Sequence, residues 1–94
     1  MADYSILYWQ DIPSLVEAKD ESGVHKLQLD QKFQVLIDAV AMRKGLAGTD
    51  TYLEEWQRGK RRTREGTAEE VASAVKAELE AEFKTIRAAA LGKD

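Results

Sequence analysis

Apolar and polar residues alternate through roughly the first thirty positions, then apolar ones recur at steps of three and four. The chain therefore divides into a β part followed by a helical part. Tyr4 to Gln10 is dense in aromatic and aliphatic residues, contains no breaker, and predicts a strand over about residues 4–10. Both its faces carry apolar groups, Tyr4, Ile6 and Tyr8 against Leu7 and Trp9, as in a strand covered on both sides. Tyr8-Trp9-Gln10-Asp11-Ile12-Pro13 ends it. Pro13 lacks an N–H, Ile12 is pushed toward extended backbone, and Asp11 favours a turn, so a corner is expected at Asp11–Pro13. Alternation resumes over about 14–20. Asp20-Glu21-Ser22-Gly23 then reads as a turn with glycine at a left-handed position, and a third strand follows over about 24–29.

Beyond Asp30, a good N-cap, Phe33, Leu36, Ile37, Val40 and Ala41 fall on one face of a helix over about 31–44 that stops near Gly45. Thr51-x-x-Glu54 has capping-box form, and Tyr52, Leu53 and Trp56 predict a short helix over about 50–58. Thr67-x-x-Glu70 starts a third, over about 68–90, with Val71, Val75, Leu79, Phe83, Ile86 and Ala90 as its stripe. That stripe is narrow and rich in alanine, which leaves the distal half of helix 67–91 free to project or to pack on a partner. The fold expected is α+β: a three-stranded antiparallel sheet with two or three helices on one face.

Composition narrows the class. Ninety-four residues make a single domain, 1–94, with a stability on the order of 5–10 kcal/mol. A net charge of −3 gives no global attraction to nucleic acid, and the absence of cysteine removes disulfides and thiolate metal sites. No secretory segment follows Met1, and no run approaches the roughly 20 apolar residues of a bilayer span, so a cytoplasmic, membrane-free protein is expected. No cofactor or metal is expected. The glycines do not form a phosphate loop, and one histidine without clustered carboxylates is no ligand set.

Charge is concentrated in one place. Arg58, Lys60, Arg61, Arg62 and Arg64 put five cations into seven residues within a glycine-bounded loop, 58–66. They could track a polyanion or nucleic acid, though a solvated loop offsetting an acidic third helix is the plainer reading. His25 lacks any local nucleophile or orienting group, so a small enzyme or cofactor-binding domain using Asp11 and His25 around a cofactor is the least supported class, and no catalytic residue is assigned. Two tryptophans in so small a domain are rarely both wholly buried, and Trp and Tyr are enriched at wet interface rims. The leading expectation is a non-catalytic binding or adaptor module for a protein partner. It would present Tyr8, Trp9 and the Asp11–Pro13 corner, with Trp56 as a further contact.

Two stretches, Tyr8 to Pro13 and Ala41 to Trp56, resemble the small bacterial virulence factor domain, which occurs alone and as a module of conserved virulence factor C proteins. The resemblance covers about residues 4 to 57, and the family often has Arg where this chain has Gln10. The family name records a phenotype, and no catalytic set comes with it. Freestanding members lie beside genes of corrinoid- and methyltetrahydrofolate-dependent methyl transfer, so the resemblance implies an accessory role in such a pathway.

Overall fold

The computed structural model describes residues 1–92; the last two positions of the expected 1–94 domain lie outside the described residues. Three strands form where alternation places them: β1 (Ala2–Trp9), β2 (Ile12–Asp20) and β3 (Gly23–Gln28). They pair antiparallel, with Ile6 opposite Val16 and Val16 opposite Leu27. The β2–β3 turn is the expected one. Gly23 takes φ +138°, and the Asp20 carboxylate accepts from the Ser22 N–H at 2.8 Å.

The sheet has five strands, two more than expected. β4 (Trp56–Arg58) and β5 (Arg62–Arg64) both pair antiparallel with β1, on the side away from β2. The segment expected as a helix end and a basic loop is thus an interrupted edge strand. α2 (Asp50–Glu54) stops short of 58 because the Glu55 carbonyl accepts from the Gln10 N–H at 3.0 Å and Trp56 pairs with Trp9. An open ladder on β1 outweighs the helical spacing of Tyr52, Leu53 and Trp56. Between the two short strands the Gly59 N–H donates to the Ile6 carbonyl at 2.8 Å. A Cβ there would lie 3.0 Å from a Tyr8 ring carbon and 3.3 Å from the Ile6 carbonyl oxygen, so any larger residue would have to push the ring aside by a few tenths of an ångström.

The first corner sits one residue earlier than expected. Gln10 and Asp11 make the reversal, Trp9 pairs with Ile12 across it, and Pro13 belongs to β2 opposite Tyr8. The register slips between Leu7 and Tyr8, leaving Ser14 without a β1 partner, and the missing N–H of Pro13 falls at this irregularity.

α1 (Gln31–Arg43) is capped by Asp30, whose carboxylate accepts from the Lys32 N–H at 3.0 Å. It buries Phe33, Leu36, Ile37, Val40 and Ala41. α3 (Ala68–Ala81) opens with the expected capping box, Thr67 and Glu70 bonding reciprocally at 2.9 and 3.1 Å. Its Val71, Ala72 and Val75 lie against the sheet face of Val16 and Ala18. The single helix expected over 68–90 breaks at Glu82, and α4 (Phe83–Gly92) follows. Steps of four residues overshoot a full turn by about 40°, so a straight helix would carry Phe83 and Ile86 off the sheet. The break returns them to the core. Phe83 meets Phe33 edge-on at 5.0 Å, and Arg43 donates to the Leu91 carbonyl at 2.8 Å. Clamped at both ends, α4 runs alongside α1 and does not project.

Candidate functional site

A groove of about 220 Å³ opens between the β1–β2 turn, the end of α1 and the middle of α4. Ile12, Val40, Ile86 and Ala90 supply its apolar surface; Gln10, Asp11, Lys44 and Thr85 supply its polar groups. α4 is tied to α1 at both ends, through Phe83 and Leu91, and Ile86 and Ala90 between them are partly buried against the core. Gln10 forms the rim under strain. Its φ is +53°, left-handed backbone that a non-glycine residue adopts at a cost of about 1–2 kcal/mol. Two bonds hold it there: its N–H donates to Glu55, and its side-chain oxygen accepts from the Lys44 ammonium at 2.9 Å. The groove therefore has an apolar interior beneath a fixed amide, a carboxylate, an ammonium and a hydroxyl. At about 220 Å³ it is smaller than the roughly 300 Å³ at which pockets take drug-sized ligands, and it suits a single large side chain.

The aromatic candidates do not form one surface. Trp9 has 0% exposure and its indole Nε1 donates to the Tyr52 carbonyl at 2.9 Å. Tyr52 tilts against it at 5.4 Å and stands edge-on to Trp56 at 6.3 Å. Pro13 is likewise sealed in the interior. Trp9 and Pro13 are thus anchors of the core, which corrects the expectation that both meet a partner. Trp9 lies against Tyr52 of α2, and Pro13 lies in β2 opposite Tyr8. Trp56 is partly buried against the same core. Tyr8 is half-buried beside Gly59, and burial pushes its phenol above the ordinary value. Of the expected contacts, only Asp11 is exposed and lines the groove. Sequence reasoning placed Val40, Ile86 and Ala90 on apolar stripes but gave no sign that they converge with Gln10 and Lys44.

The five cations divide. Arg58 donates to Ser5 Oγ at 3.0 Å and pairs with Glu17, whose carboxyl it holds below the usual range. Arg64 pairs with Glu78 of α3 and lowers that carboxyl in the same way. The side chains of Lys60, Arg61 and Arg62 show no hydrogen bond or ion pair among the described residues, though the charge of Arg61 acts on Glu17 and that of Arg62 on Tyr8.

A sequence model of the family described as Virulence factor matches residues 7–91. The chain belongs to the virulence factor family. The match runs past residue 57, where the sequence resemblance ends, through α3 and α4, so it takes in every wall of the groove. No curated protein and no solved structure matches the chain.

In this virulence factor domain Asp11 and His25 do not meet. Asp11 precedes one end of β2, while His25 pairs with Ala18 near the other, about 20 Å of strand away. The fold therefore does not bring the two side chains together. Among the described residues no group of three or more His, Cys, Asp or Glu side chains is placed to hold a metal ion, and no helix is long and apolar enough to cross a membrane.

Proposed function

We propose that the domain is a non-catalytic binding module whose protein partner inserts one apolar side chain into the groove between the β1–β2 turn, α1 and α4. The observation that carries this reading is the groove's make-up: an apolar interior of side-chain size, rimmed by polar groups on three different elements. Small, well-packed sockets that exclude water from one anchor residue are where interface energy concentrates. Residues of both family-like stretches line it, Gln10 to Ile12 from the first and Lys44 from the second. The Lys44–Gln10 bond fixes the rim before a ligand arrives, which lowers the entropy lost on binding.

A random peptide library selected on the wild-type domain tests the proposal. Enriched peptides are expected to share a large apolar residue and to bind Ala90→Trp, whose indole fills the groove, at least tenfold more weakly. Equal binding to wild type and Ala90→Trp would place the partner elsewhere.

A further inference from the structure

The basic edge joins a second surface, remote in character from the groove. By strand alternation, three rungs cross the sheet on the face opposite Val16 and Ala18. They are Arg58–Leu7–Leu15–Gln28, then Ser5–Glu17–Lys26, then Thr63–Asp3–Lys19–Val24. A cleft of about 300 Å³ on this face is lined only by strand and edge residues, among them Ser5, Glu17, Lys19, Arg58 and Arg61. No helix contributes to it. Leu7 and Leu15 are neighbours here, half-buried, and neither belongs to the core cluster. They form an apolar step within a charged field.

That field is positive. Lys19, Lys26, Arg58 and Arg61 stand against Asp3 and Glu17, and Lys60 and Arg62 extend the excess along the edge, on a chain whose net charge is −3. The two carboxylates are already engaged: Asp3 accepts from the Thr63 hydroxyl at 2.9 Å, and Glu17 from Arg58. The side chains of Lys60, Arg61 and Arg62 form no ion pair of their own, and Arg61 only adds its charge to that of Arg58 near Glu17. β4 and β5 pair only with β1, so their outer N–H and C=O groups are open to a further extended segment.

We infer that this uncovered sheet face and its β4–β5 edge dock an acidic protein segment carrying an apolar residue. Its carboxylates would meet Lys60, Arg61 and Lys19, and its apolar side chain the Leu7–Leu15 step. Single-stranded nucleic acid is the other polyanion to weigh. It binds by stacking bases on exposed aromatic rings; Tyr4 lines the cleft and Trp56 borders Arg58 on the next rung, but both are partly buried against the core. Trp9 is sealed, and Tyr52 is engaged by both tryptophans.

The test is a fluorescence-anisotropy titration at 50 and 200 mM salt with three labelled probes. One is a peptide of four Glu-Glu-Leu repeats, the second its Gln-Gln-Leu counterpart, and the third an oligothymidylate of eight nucleotides. The acidic peptide is expected to bind at least tenfold more tightly than either other probe. Lys60→Glu/Arg61→Glu, whose native side chains form no hydrogen bond or ion pair among the described residues, is expected to weaken it at least tenfold with an unchanged circular dichroism spectrum. Leu15→Gln is expected to weaken it several-fold, whereas Ala90→Trp leaves it unaltered. Tighter binding of the oligothymidylate, indifference to the charge reversal, or no binding at 50 mM salt would each overturn the inference.

Discussion

Truncating Trp9 separates a core anchor from a partner contact. The side chain has 0% exposure, packs on Tyr52, and donates its N–H to the Tyr52 carbonyl at 2.9 Å. Removing a fully buried indole costs about 3–5 kcal/mol, a range that already includes imperfect collapse of the cavity. Leaving the Tyr52 carbonyl without its donor places Trp9→Ala toward the upper end, at about 4–5 kcal/mol. That is a large share of the roughly 5–10 kcal/mol expected for a domain of this size. Trp9→Phe keeps a ring but loses the N–H and part of the volume, for about 2–3 kcal/mol. With a urea slope of about 1.5 kcal/mol per molar, Trp9→Phe should lower the midpoint by about 1–2 M. Trp9→Ala should lower it by about 3 M. Urea titration followed by far-ultraviolet circular dichroism, with Trp56 fluorescence as a second probe, reads both. A surface contact would cost less than about 0.5 kcal/mol. A Trp9→Ala midpoint within about 0.3 M of wild type would refute the reasoning.

Three further outcomes follow from other parts of the molecule. Gly59→Ala forces a methyl to within 3.0 Å of the Tyr8 ring and should destabilise by about 1–3 kcal/mol in the same urea assay. Gln10→Gly removes the left-handed strain but also the Lys44 bond, so its stability should stay within about 1 kcal/mol of wild type, whereas Gln10→Val should lose more than that. Asp20, Glu17 and Glu78 are all held below the usual carboxylate range, Asp20 chiefly by the Ala68 N–H, the other two by Arg58 and Arg64. Their folded forms bind protons less readily than the unfolded chain, so their stabilisation is complete above about pH 5 and is lost as pH falls through the lowered folded values. A Tm series from pH 7 to pH 2.5 should fall most steeply below about pH 4.5, and less steeply in Asp20→Asn.

What the sequence made legible was local. Asp30, Thr67-x-x-Glu70 and the Asp20–Gly23 turn specify their elements through bonds within a few residues, and all three form as expected. The two extra strands were not legible, because three-residue segments carry no period and their partner, β1, lies some fifty residues away. Trp56 fits a helix and a strand equally well from its neighbours; only Trp9 across the ladder decides. Gln10 hid the turn for a different reason: glycine is the usual marker of left-handed backbone, and here a Lys44 contact 34 residues distant supports another residue. The groove was invisible for the same cause. Its walls come from a turn and two helix stripes, whose faces could be read but whose meeting depends on the break at Glu82. Trp9 misled because aromatic density at a corner describes an interface and a small core alike.

The most direct measurement is a map of amide chemical-shift changes on titrating a selected apolar-anchored peptide into the isotope-labelled domain. The binding-module account predicts the largest changes at Gln10, Asp11, Lys44, Thr85 and Ala89, with the β3 strand unmoved. Changes centred on the open sheet face, or spread evenly over the chain, would contradict it.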